Sequence, residues 1–195
     1  MRLFFAIVPT KDALSELTAV QSALRDAVGR EGVRWEDPGK LHITLRFLGE
    51  VAEERLEAVK EAGREAASAC PPFSLEIGAL GTFPAGRQPR VLWAGVENEF
   101  PEYAQLAEYL DRALAARGFP PEGRSAKPHV TFARVKTPAG SKSISRSLTG
   151  NNPKKVDKKI AISVSNVVLL VSELRPGGSA YTILETFPVT ALNPS

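Results

Sequence analysis

The chain contains only two histidines, and each opens the same short phrase: His42-Ile43-Thr44-Leu45 and His129-Val130-Thr131-Phe132. In a strand, residues two apart point the same way. Each phrase therefore presents one imidazole and one hydroxyl on a common face, while Ile43 and Val130 point into a core. Two such strands side by side would aim two imidazoles and two hydroxyls into one cavity. Imidazoles titrate near neutrality, so one can serve as base and the other as acid. Threonine hydroxyls can donate to phosphate oxygens without adding charge. A lone His-x-Thr would mean little, but two copies that use every histidine in the chain point to acid/base chemistry on a phosphate ester.

Other chemistries fit less well. A catalytic zinc site takes three protein ligands, and neither phrase has a carboxylate at ligand spacing: Glu36 and Glu50 lie off the His-Thr face or beyond the strand ends. No metal and no cofactor are expected. No serine sits in a nucleophile elbow, and no glycine-rich loop opens a helix. Cys70 is the single cysteine, so no internal disulfide can form and a reducing, cytoplasmic setting is natural. Its place before Pro71-Pro72, far from both histidines, argues against a nucleophile. Arg134 lies five residues after His129. A regular strand would turn it to the opposite face, and a bulge would bring it round to clamp phosphate.

These residues need elements to hold them. The phrases stand 87 residues apart (129 − 42) in a chain of 195, close to half its length. That spacing suggests two similar lobes related by a pseudo-two-fold, with the site at their seam. Leu3–Val8 reads as a buried first strand. Thr10 caps a helix with Leu14, Leu17, Val20, Leu24 and Val28 on one face, ending at Gly29. His42–Leu48 is a strand and Glu53–Ala69 a helix. Phe73–Phe83 and Arg90–Val96 form a hairpin, and Pro101 starts a helix that runs to Gly118. His129–Val135, Ile160–Val164, Val167–Val171 and Tyr181–Phe187 are strands, the last two joined by a hairpin loop at Arg175-Pro176-Gly177-Gly178. The fold class is α+β, with two antiparallel sheets and helices packed outside.

Composition sets wide bounds. Hydrophobic residues make up 43% and charged residues 24%, ordinary for one globular domain, 1–195. The net charge of +3 permits an anionic ligand without demanding one. No run reaches membrane-spanning length. Segment 139–159 differs in character, rich in Ser, Lys, Asn and Gly, and carries five of the ten lysines: Lys142, Lys154, Lys155, Lys158 and Lys159. It reads as a solvated loop with a short helix, or alternatively as a basic flap over a polyanion.

The paired phrases resemble the signatures of the two-histidine phosphoesterases, and within them the RNA 2′,3′-cyclic phosphodiesterases, also called 2′-5′ RNA ligases. Supporting pieces are Met1–Ala6, His42–Gly49 (HITLRFLG), Pro89–Trp93, His129–Arg134, and Ser172–Leu174 with Pro176–Gly178 and Tyr181. The resemblance implies a bilobal fold with the site in its central groove. It implies metal-independent hydrolysis of a terminal RNA 2′,3′-cyclic phosphate to a 2′-phosphomonoester, with 2′-5′ ligation as the related reaction, in RNA processing that includes tRNA. By that analogy His42 is the general acid, His129 the general base, and Thr44, Thr131 and Arg134 bind phosphate. The symmetry of the two phrases alone does not break the tie between the histidines. The expected partner is an RNA end or short oligonucleotide met by a monomer. The alternatives are a sister enzyme for another cyclic nucleotide, a non-catalytic module that binds RNA ends or nucleotides, and a structural domain with satisfied core histidines.

Overall fold

The computed structural model describes residues 1–86, 88–97, 99–122, 127–149, 155–176 and 178–190. In chain order the elements are β1 (Arg2–Ile7), α1 (Lys11–Val28), β2 (Val33–Trp35), β3 (Ile43–Glu50), α2 (Leu56–Ser68), β4 (Phe73–Phe83), β5 (Val91–Val96), α3 (Pro101–Ala116), β6 (His129–Val135), α4 (Pro138–Thr149), β7 (Lys155–Val164), β8 (Asn166–Arg175) and β9 (Gly178–Pro188). Short 3₁₀ turns at Pro38–Lys40 and Glu53–Arg55 precede β3 and α2. The α1 boundaries follow the expected chemistry. The Thr10 hydroxyl accepts from the Ala13 amide, and Gly29, at φ 85°, ends the helix where a side chain would be strained.

One expectation is corrected. The strands form a single antiparallel sheet of order β7-β4-β5-β6-β3-β1-β8-β9, with β2 added to β6, rather than two sheets. The two histidine strands meet at one register pair, Ile43 with Val130, and that pair makes the sheet continuous. Both side chains there are fully buried, so core burial closes a seam that has little pairing of its own.

Alternation along β1 separates the two faces of the sheet. Leu3, Phe5 and Ile7 of β1 join Ile43, Leu92, Val130, Phe132, Ile162 and Leu169 in a core shared with Leu17 of α1, Val59 of α2, Leu106 and Leu110 of α3, and Ile144 of α4. Phe4 and Ala6 point the other way, into a small cluster with Val168, Leu170 and Tyr181. The helices and the histidines therefore occupy opposite faces. Segment 139–159 supplies most of α4 and the first half of β7, and the helix buries Ile144 fully. Lys154 of that segment and Gly177 of the closing hairpin lie outside the described residues.

Candidate active site

His42, Thr44, His129, Thr131 and Arg134 line one cavity of about 40 Å³, with Glu36, Lys40 and Tyr181 completing it. That volume has room for roughly three water-sized groups, enough for a phosphoryl group but too little for a nucleoside. A larger cleft of about 520 Å³ lies between Arg90, Lys136 and the start of α4, and it holds none of the motif residues.

The two imidazoles are held alike. His42 Nδ1 lies 2.7 Å from the Lys40 carbonyl, and His129 Nδ1 lies 2.7 Å from the Lys127 carbonyl. A carbonyl only accepts, so each Nδ1 carries the proton and donates it, leaving Nε2 as the group free to exchange protons. Burial lowers the pKa of both rings below the ordinary 6.5. The backbone bonds oppose this, and the Arg134 guanidinium adds to it in both rings. Two influences act on His42 alone: the Glu36 carboxylate favours its charged form, and the neighbouring His129 ring, a smaller effect, disfavours it.

Arg134 reaches the site through a bulge. Leu92 pairs with Ala133 and Trp93 with Thr131, so Phe132 is an extra residue on β6 and the face parity changes after it. Phe132 and Ala133 are accordingly both buried in succession. The other motif strand has the same device. Phe5 pairs with Arg46 and Ala6 with Thr44, which makes Leu45 the extra residue, again three positions after the histidine. Arg46 is thereby turned inward to pair with Asp111 of α3 at 3.1 Å. The bulge brings Phe47, the residue five after His42, to the site face where β6 has Arg134. The two phrases match, but the residues beyond their bulges do not: one half offers a cation and the other an aromatic ring.

Glu36 corrects a second expectation, for it does line the site. The strand that carries it there, β2, had no recognisable signal in three residues. Its register sets Arg34 beside Arg134, and the Glu36 amide donates to the bulge carbonyl of Phe132 at 2.9 Å. Glu36 Oε1 then accepts from Arg134 at 3.1 Å and lies 3.5 Å from Arg34. One carboxylate thus offsets two facing cations and fixes the direction of the Arg134 fork. Below the sheet, the buried Gln21 of α1 donates to the carbonyls of Glu36 at 2.9 Å and Phe132 at 3.1 Å. On the other strand the Tyr103 hydroxyl of α3 donates to the Thr44 carbonyl at 2.9 Å, and burial pushes its pKa up. Tyr181, legible in the sequence only as part of the closing hairpin, reaches the cavity and sets its ring edge-on to His42, 5.3 Å between centroids.

Among the described residues no cluster of three or more His, Cys, Asp or Glu side chains could hold a metal ion. Cys70 is fully buried, and burial raises its thiol pKa. Among those residues, too, no helix is long and apolar enough to cross a membrane.

Two copies of the LigT-like phosphoesterase family model match in succession, at residues 7–93 and 95–181. The chain belongs to that family. It is 34% identical over 188 residues to the RNA 2′,3′-cyclic phosphodiesterase of Methanothermobacter thermautotrophicus, covering 96% of this chain and 98% of that protein. It is 33% identical to the Thermus thermophilus protein of the same name, covering 96% and 89%. Among solved structures, a Thermus thermophilus protein superposes with TM-score 0.81 at 31% identity, covering 99% of this chain and all of that one. The Escherichia coli LigT complex with 3′-AMP superposes with TM-score 0.76 at 26% identity, covering 97% and 98%. The LigT-like family thus accounts for nearly the whole chain.

Proposed function

We propose that this LigT-like phosphoesterase hydrolyses RNA terminal 2′,3′-cyclic phosphates to 2′-phosphomonoesters without a metal ion. The observation that carries the reading is the convergence of two Nδ1-anchored imidazoles, two threonines and one arginine on a cavity of phosphoryl size. The names of the relatives support the substrate class.

In this reading the phosphorus sits between the imidazoles. His129 Nε2 takes a proton from water, and the water oxygen bonds to phosphorus. The bond from phosphorus to O3′ breaks in line, and protonated His42 delivers the Nε2 proton to O3′. The product carries a 2′-phosphate and a free 3′-hydroxyl. Thr44 and Thr131 donate to the non-bridging oxygens, and Arg134 neutralises the charge that develops on them. Glu36 supports the assignment of roles, because its carboxylate favours protonation of His42 in particular. A 5′-hydroxyl of RNA in place of water would give a 2′-5′ linkage by the same movements. The two matched halves and their equivalent bulges agree with a pseudo-two-fold arrangement about the Ile43–Val130 seam. Every group assigned comes from one chain, which suits a monomer acting on RNA ends.

The test is turnover of a short RNA ending in a 2′,3′-cyclic phosphate by wild type, His42→Ala and His129→Ala. Each loss should cost about a hundredfold or more. A substrate with sulfur in place of O3′ needs little protonation on leaving, so it should rescue His42→Ala far more than His129→Ala. Rescue of His129→Ala instead would reverse the roles. Normal turnover by either variant would reduce the site to a binding pocket.

A further inference from the structure

The two sides of the site differ in one further respect. Each imidazole is flanked by two aromatic rings: Phe4 and Tyr181 at His42, Phe83 and Trp93 at His129. On the His42 side the two flanking rings are packed together, with Phe4 only 3% exposed and edge-on to Tyr181 at 5.2 Å, and the exposed ring beyond them, Phe47, lies under the Arg2 guanidinium at 5.0 Å. On the His129 side Phe83 is 39% exposed, one of the few large apolar side chains left in solvent. It stacks on Trp93 at 5.1 Å and 29°, and it meets the His129 ring edge-on at 5.1 Å.

The strand register makes this a built surface. Gly81 pairs with Trp93, Trp93 with Thr131, and Gly95 with His129, so all of them share the face of the site. A Cβ at Gly81 would come within 2.2 Å of the indole, and one at Gly95 within 2.8 Å. The two missing side chains let the indole lie close over the strands, and Phe83 stacks on it while staying exposed itself. A flat aromatic face beside a phosphoryl-sized cavity suits a stacked nucleobase, since every base has a π-face and stacking is tolerant of sequence.

We infer that the Phe83–Trp93 shelf beside His129 is a second nucleoside subsite, which takes the base of the 5′-hydroxyl strand that replaces water in 2′-5′ joining. The inference rests on the proposed assignment of His129 as the base. The nucleophile then enters from the His129 side, and there the site opens onto an exposed ring. Water gains nothing from such a shelf, whereas a 5′-hydroxyl nucleoside would be oriented by it. The terminal nucleotide, whose O3′ leaves toward His42, lies on the opposite side.

The probe is the 5′-hydroxyl dinucleotide ApA, titrated into protein saturated with adenosine 2′-phosphate while tryptophan fluorescence is followed. The chain has two tryptophans, and Trp35 is held elsewhere by the Gly29 carbonyl. ApA should quench the product-loaded protein, and Trp93→Phe should remove the quench. Phe83→Ala should weaken the apparent affinity roughly tenfold or more, while Phe83→Tyr should preserve it. Unchanged affinity in Phe83→Ala would overturn the subsite. Full quenching by adenosine 2′-phosphate alone, with nothing added by ApA, would give the shelf to the terminal nucleotide and overturn it as well. Hydrolysis of adenosine 2′,3′-cyclic phosphate by wild type is measured alongside. Its absence, with ApA quenching intact, would overturn the catalytic reading beneath the acceptor assignment rather than the base-binding shelf.

Discussion

At the scale of single residues, the pH dependence follows from how the imidazoles are held. In the proposed mechanism His129 must be neutral to accept a proton, so activity should rise as pH climbs through its pKa. As the proposed acid, His42 must be charged to give one, so activity should fall as pH passes its own. Burial lowers both below 6.5 in the free protein, so both limbs of kcat/KM should lie on the acid side of 6.5. An anionic phosphoryl group favours charged His42, so the alkaline limb of kcat should stand at higher pH than that of kcat/KM; coincident limbs would contradict this. With only two histidines, proton NMR resolves each titration separately. Glu36→Gln should lower the His42 pKa and leave that of His129 nearly in place, because the carboxylate acts on His42. Equal shifts would remove Glu36 as the feature that distinguishes the two roles. Arg134→Lys keeps the charge but loses the planar fork anchored by Glu36. It should lower kcat/KM on the order of tenfold, measured on the cyclic-ended RNA.

At the scale of elements, each motif strand is pinned by a buried polar side chain from a helix: Gln21 of α1 holds the β6 bulge, and Tyr103 of α3 holds Thr44 of β3. Tyr103→Phe strands a part-buried carbonyl and should cost about 1–3 kcal/mol in urea unfolding. A midpoint equal to wild type would mean the bond contributes nothing. Much of this level was legible in the sequence, because periodicity and caps report local structure. The Thr10 and Gly29 caps, the Pro101 start and the His129–Val135 span all stand where the residues place them. What escaped depends on partners distant in sequence. Three residues of β2 carry no period, and only pairing with β6 makes them a strand and brings Glu36 to the cavity. The bulges at Leu45 and Phe132 are features of register against neighbouring strands. Arg134 could therefore be placed from sequence only conditionally.

At the scale of the whole molecule, the duplicated phrase pointed to two halves around one site, and the structure ties those halves more closely than two separate sheets would. The strands join at Ile43–Val130. Helix α1, which follows β1, packs on α4 and β7, whereas α3, which follows β5, packs on α2 and β3. Each helix thus crosses to the far half, and one core spans them both. The chain should unfold in a single transition, with near- and far-ultraviolet circular dichroism coincident; two separated transitions would show independent lobes. The function proposed for this arrangement is hydrolysis of a cyclic phosphate without a metal ion. It is tested most directly by ³¹P NMR of an oligoribonucleotide ending in a 2′,3′-cyclic phosphate, incubated with the protein in excess EDTA. Complete conversion to the 2′-phosphomonoester at an undiminished rate is expected. A 3′-phosphomonoester, or conversion only after a divalent metal ion is restored, would contradict it.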